Sequence, residues 1–228
     1  MFQPGGPTFA ELMSQAMSST LDGYDQLAPK FDLTPFRTPA PVVAAVMTAI
    51  GPVDRGIDVC CGTGAGLAAL RPLCRVEAVG FDASAGMLAV ARAAVPDARF
   101  VQGDVRVDSP GEGFDVATCF GAFGHFDGPD VPLLVVRIAA MLRPGGSFVF
   151  VTVDPADVPW RAWAIGLGFN AGMRVRNAVW KPEFVMYYLN FLLPRARDCC
   201  EAAGLSFEEV GRPAAPFHRY QVVRATKR

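Results

Sequence analysis

The sequence predicts an α/β fold built on a mostly parallel sheet with helices on both faces. Two observations carry that prediction. From about residue 40 onward, short β-branched runs alternate with helix-compatible segments, which is the pattern of βαβ units. The tail then breaks the alternation: 207–211 and 217–225 are two strand-like runs joined by a Pro-containing linker with no helix between them, which reads as a terminal antiparallel hairpin.

The individual elements follow in order. Strands are expected at 56–60, 75–82, 98–104, 114–120 and 147–154, each closed by Gly, Asp or a turn cluster. Between them, 65–73, 83–94 and 131–142 have helical composition, and Ser84 is placed to cap the middle helix through its hydroxyl. Leu142-Arg143-Pro144-Gly145-Gly146 is expected to turn the chain into the fifth strand, with Pro fixing one position and Gly free to take positive φ at the next. Two segments stand outside the pattern, 1–40 and 155–191, and the second is rich in aromatic residues.

Composition narrows the function classes. The chain has 228 residues, 51% hydrophobic and 19% charged, against about 25% charged in ordinary globular domains, so it can bury a full core. Its 21 Lys and Arg offset 22 Asp and Glu, and no polybasic run occurs. A general nucleic-acid partner is therefore not expected, and a small molecule is. The longest uncharged stretch, 38–53, is interrupted by prolines and falls short of the roughly 18–20 apolar residues that a spanning helix needs. With two prolines and no basic region near its start, the chain is expected to be cytoplasmic, with no membrane partner. Six cysteines without a C-x-x-C, and only His125 and His218 beside them, predict free, buried thiols and no metal.

The chemistry concentrates at strand ends. Asp58 to Gly66 reads D-V-C-C-G-T-G-A-G, a buried strand running into a glycine turn and a helix. Glycine suits a backbone that must bend sharply and approach a ligand. The dinucleotide spacing G-x-G-x-x-G would need glycine at 67, where Leu67 stands; the spacing here is G-x-G-x-G. Asp82 ends the next strand, 20 residues after Gly62, where a carboxylate can accept from ribose hydroxyls. Asp104 and Val105 end the third strand, offering a carboxylate to an exocyclic amine and an N–H to a ring nitrogen. On a parallel sheet, three such strand ends form one crevice.

With these residues in place, the sequence resembles the class I S-adenosylmethionine-dependent methyltransferases, in their small-molecule branch. The acid plus G-x-G-x-G, Asp82, the Asp104-Val105 pair, Ser84-Ala85-Gly86-Met87-Leu88, Phe114-Asp115-Val116 through His125, and the L-R-P-G-G turn all carry the resemblance. It implies a Rossmann-like three-layer sandwich with a seven-stranded, mostly parallel sheet and an antiparallel last strand. It also implies S-adenosyl-L-methionine as cofactor, held by Tyr24, Asp58, Cys60, Gly62, Gly64, Asp82, Ala83, Met87, Asp104, Val105 and Phe120. Tyr24, Asp25 and Phe31 are similar to the family's Y-D-x-x-A-x-x-Y/F lid element. The implied layout is a helical lid at 1–40, a methyltransferase core at 41–228, and a substrate-side insertion at 155–191.

For the reaction, the resemblance implies in-line transfer of a methyl group to O, N or C of a small, fairly apolar metabolite. His125 is the candidate general base and Trp160, Trp163, Tyr187 and Tyr188 the candidate acceptor contacts. No N/D-P-P-Y/F follows the fourth strand, where Cys119-Phe120-Gly121-Ala122 stands, so amino methylation of bases or glutamine amides is disfavoured. The competing readings are an NAD-type oxidoreductase, opposed by Leu67, and a non-catalytic protein that retains the cofactor fold.

Overall fold

The computed structural model describes residues 4–228. Its elements run α1 (Phe9–Met17), α2 (Thr20–Leu27), α3 (Ala40–Ile50), β1 (Val53–Val59), α4 (Ala65–Leu70), β2 (Cys74–Asp82), α5 (Ala85–Ala94), β3 (Arg99–Gln102), β4 (Phe114–Thr118), α6 (Asp130–Met141), β5 (Leu142–Val153), α7 (Trp160–Val179), α8 (Leu193–Ala202), β6 (Leu205–Gly211) and β7 (Tyr220–Lys227). The seven strands form one sheet in the order β3-β2-β1-β4-β5-β7-β6. β7 alone runs against its neighbours, pairing antiparallel with both β5 and β6. This is the Rossmann-like arrangement anticipated above, and the terminal hairpin is the pair β6–β7.

Side-chain alternation along each strand builds a core on both faces. On one face, Ile57, Val59, Phe81, Ala117, Phe148 and Phe150 pack with the inner sides of α6 and α8. On the other, Val116, Val149 and Val222 meet Val43, Val46 and Met47 of α3 and Leu67 and Leu70 of α4. Leu67, standing where a dinucleotide fold would need glycine, is wholly buried in this second cluster.

Two local expectations need correction. The helix expected over 65–73 stops at Leu70 and continues as a 3-10 turn, because Pro72 cannot donate to the helical ladder. The turn expected at 142–146 is part of β5: Leu142 pairs with Phe114 and Ser147 with Val116, so 143–146 bulge out of the ladder. Gly145 takes the positive φ of +75°, while Gly146 lies so near the Phe114 carbonyl that a Cβ would sit 2.7 Å from its oxygen. The thiols are free as expected, five of them buried and Cys60 half-buried.

Candidate active site

β1 delivers the chain to a sharp turn at its carboxyl end. Cys60 and Gly62 take positive φ, and Gly64 caps α4 in the left-handed region. For Cys60 this is an uncommon conformation; a hydrogen bond with Cys119, and then desolvation, push its pKa up. The glycines serve different ends. A Cβ on Gly62 would meet nothing within 4 Å, so its glycine is required by the positive φ of +53° and not by crowding. On Gly64 it would meet Ala91 of α5 at 3.1 Å, and on Gly66 it would stand 2.5 Å from Oδ2 of Asp58 and 2.6 Å from the Phe120 ring. Gly62 thus serves the turn itself, and Gly66 lets Asp58 and Phe120 pack together.

Two carboxylates converge on that turn. Asp82 Oδ2 accepts from the Gly62 N–H at 2.8 Å and Oδ1 from the Ser84 N–H at 2.9 Å. Burial raises its pKa against these backbone donors, which favour the charged form. Asp58 is fully buried and accepts from the Thr118 hydroxyl at 2.8 Å. Burial is the main cause that pushes it up to about 7, with the negative Asp82 nearby acting in the same direction. Ala83 and the buried Met87 continue the rim, and Met87 N–H bonds the Ser84 hydroxyl at 3.0 Å in the expected helix cap.

At the third strand end, Val105 is buried and Asp104 is not free as expected: its carboxylate is gripped by the Arg106 guanidinium, which holds its pKa low. The carboxylate would have to share itself with any ligand amine.

The N-terminal helices lie over this crevice. Asp25 Oδ1 accepts from the Ser84 hydroxyl and, at 2.9 Å, from the Gly86 N–H, so α2 caps the N-terminus of α5. Gly86 permits the approach, since a Cβ there would lie 2.9 Å from the Asp25 backbone. Farther along, Asp32 accepts from Thr63 of the glycine turn at 2.8 Å. Tyr24 is half-buried among Phe31, Phe184 and His125, and this desolvation raises its pKa. Its hydroxyl lies 2.8 Å from Nε2 of His125, whose Nδ1 lies 2.9 Å from the Val185 carbonyl. Burial lowers the His125 pKa.

The insertion forms α7 and a strap, 180–192, that has no regular secondary structure. Sequence reasoning missed what holds the strap: asparagine amides. Asn177 both donates to the Phe184 carbonyl and accepts from its N–H, each at 3.0 Å. Two turns earlier on α7, Asn170 does the same for Tyr188, at 2.9 and 2.8 Å. Asn190 donates to the carbonyls of Phe123 and Phe126. The strap therefore closes against the His125 turn, with Tyr187 N–H on the Gly124 carbonyl at 2.7 Å. Tyr187 and Tyr188 belong to this strap, and Tyr188 is near enough to Tyr24 to raise its pKa. Trp163 is half-buried on α7. Trp160 does not join them: its ring is 73% exposed at the start of α7, beneath the Arg161 guanidinium.

Comparison with known proteins agrees with this geometry. A family model described as a methyltransferase domain matches residues 57–146. The chain is 40% identical over 102 residues to a dTDP-3-amino-3,6-dideoxy-alpha-D-glucopyranose N,N-dimethyltransferase of Streptomyces fradiae, covering 43% of this chain and 38% of the relative. It is 29% identical over 143 residues to a trans-aconitate 2-methyltransferase of an Enterobacter species, covering 61% and 55%. The chain thus spans about half or less of the length of these relatives. An O-methyltransferase family protein of Burkholderia thailandensis shares its fold with a TM-score of 0.68 at 18% identity, over 96% of this chain and 66% of the other. In its matched segment, strand order and glycine turn, the chain is similar to methyltransferases of this fold.

Proposed function

We propose that the protein transfers a methyl group from S-adenosyl-L-methionine to O, N or C of a small, fairly apolar metabolite. The observation that carries this reading is the turn at Gly62, where a Cβ would meet nothing within 4 Å, with the carboxylates of Asp82 and Asp58 beside it. An open backbone turn suits a carboxylate, a buried acid suits an ammonium, and an acid already held by two N–H groups suits ribose hydroxyls. In this reading Asp58 holds the ammonium, Asp82 the ribose, and Met87, Asp104 and Val105 border the base. When bound, the cofactor supplies an activated methyl group on a sulfonium.

The chain's own residues do the rest. Residues 1–40 act as a lid over the core at 41–228, with Asp25 on α5 and Asp32 on Thr63 as its attachments; the strap of the 155–191 insertion walls the acceptor side. Together they exclude water and hold the acceptor in line, which is the main requirement of a displacement on an activated donor. For a hydroxyl acceptor, His125 receives the proton at Nε2, directly or through the Tyr24 hydroxyl. Tyr187 and Tyr188 contact the acceptor, with Trp163 behind them.

The relatives' names support a small-molecule acceptor: an amino sugar nucleotide in one case, trans-aconitate in another. The test is isothermal titration with S-adenosylhomocysteine and separately with NAD, on the native chain and on Asp82→Ala. Binding of the former alone is expected, weakened about 10- to 100-fold by the substitution, as for hydrogen bonds to a charged group. NAD binding, or binding of neither, would overturn the reading.

A further inference from the structure

The outward face of α7 carries large exposed apolar side chains toward both of its ends. Gly166 and Asn177 are buried, and Asn170 and Met173 fall on the same side. The opposite side carries Trp160 and Arg161, then Ala164, Gly168, Ala171, Val175 and Val179 at spacings of three or four. Val175 is 64% and Val179 80% exposed, and beside them Ile165 is 71% exposed. A 20-residue helix is about 30 Å long, so these side chains form a strip of apolar patches spread along it, more than the scattered single hydrophobes of an ordinary surface.

The charges on α7 itself have one sign. No Asp or Glu occurs between Asp157 and Glu183. Of the cations in that stretch, Arg176 is spent on the carbonyls of Ala16 and Ser18, and Lys181 pairs with Glu183. Arg161 and Arg174 flank the strip, are exposed, and contact only aromatic rings, those of Trp160 and Tyr187. A second copy of the chain would add two more arginines to this face and no carboxylate to answer them.

An anionic lipid surface answers both features, because acyl chains take up the apolar strip while headgroups meet the arginines, with Trp160 and Trp180 at the boundary. No helix among the described residues is long and apolar enough to cross a membrane, so the contact is one of lying on the surface.

We propose that α7 is a membrane-surface helix that docks the protein on anionic lipid through Trp160, Ile165, Val175 and Val179, with Arg161 and Arg174 at its margins. This replaces the sequence expectation of no membrane partner, which weighed only spanning segments. It stands independently of the catalytic reading.

The full chain is mixed with vesicles of phosphatidylcholine alone and of phosphatidylcholine with phosphatidylglycerol, and partition is read by co-sedimentation and tryptophan emission. Binding to the anionic vesicles with a blue shift is expected. Arg161→Glu with Arg174→Glu should reduce it about 25-fold or more, at about fivefold per cation, whereas the double lysine variant should retain it. Val175→Asp should abolish it. These side chains are exposed, and circular dichroism checks that each variant is folded. Absence of binding, equal binding to both vesicle types, or a native dimer in light scattering that Val175→Asp dissociates would overturn the proposal.

Discussion

The Tyr24 hydroxyl and Nε2 of His125 stand 2.8 Å apart, and the other ring nitrogen of His125 faces the Val185 carbonyl at 2.9 Å. A carbonyl can only accept, so the single proton of the neutral ring sits on Nδ1 and Nε2 accepts from Tyr24. The tautomer is thus set by the strap, and the basic nitrogen is aimed at Tyr24 of α2.

Nitrogen NMR of the His125 ring is expected to show the Nδ1–H tautomer at neutral pH. Because burial lowers its pKa, the ring should titrate below the ordinary value of 6.5. If a hydroxyl is the acceptor, activity should persist as pH falls past that value, and His125→Ala should lower kcat by about 10²–10⁴-fold. A ring that titrates above 6.5, or an Nε2–H tautomer, contradicts the assignment.

Asp58, free, titrates near 7. Its folded pKa lies above the ordinary 3.8, so its contribution to stability is complete below about pH 4 and is lost as pH rises through about 7. Ligand binding has the opposite sign, since an ammonium favours the ionised form. The affinity for S-adenosylhomocysteine should therefore weaken as pH falls below about 7, approaching tenfold per pH unit. Calorimetry across that range checks it, and Asp58→Asn should flatten the profile.

Gly66→Ala places a methyl group 2.5 Å from Asp58 and 2.6 Å from the Phe120 ring. Overpacking of this kind costs about 1–3 kcal/mol. Urea unfolding should show a lower midpoint at unchanged slope; an unchanged midpoint would mean that the turn relaxes freely.

Asn177→Ala removes both amide bonds to Phe184 inside a buried site. A loss of about 2–3 kcal/mol is expected for the two orphaned backbone groups. Hydrogen exchange should rise at Phe184, and a protected Phe184 amide would refute the role given to Asn177.

The sheet and its crevice were legible in the sequence because strand alternation and glycine turns obey local rules. Gly62 and Asp82 do meet at 2.8 Å, as their spacing implied. The strap was not legible, because its backbone is paired with asparagine amides from α7 and follows no period. Trp160 was misjudged for a related reason: aromatic composition says that a segment is apolar, not which way a helix turns each ring. The Asp104–Arg106 pair lay two residues apart in plain view, but its consequence for a free carboxylate became clear only in three dimensions.

Asn170 and Asn177 grip the strap by its peptide groups and leave its side chains to face where they will. The route of this wall is thereby uncoupled from its chemistry. On the function proposed above, residues between Phe184 and Tyr188 could be exchanged for larger, smaller or more polar ones while the backbone keeps its course, so that a change of acceptor would need point substitution and no refolding of the sheet.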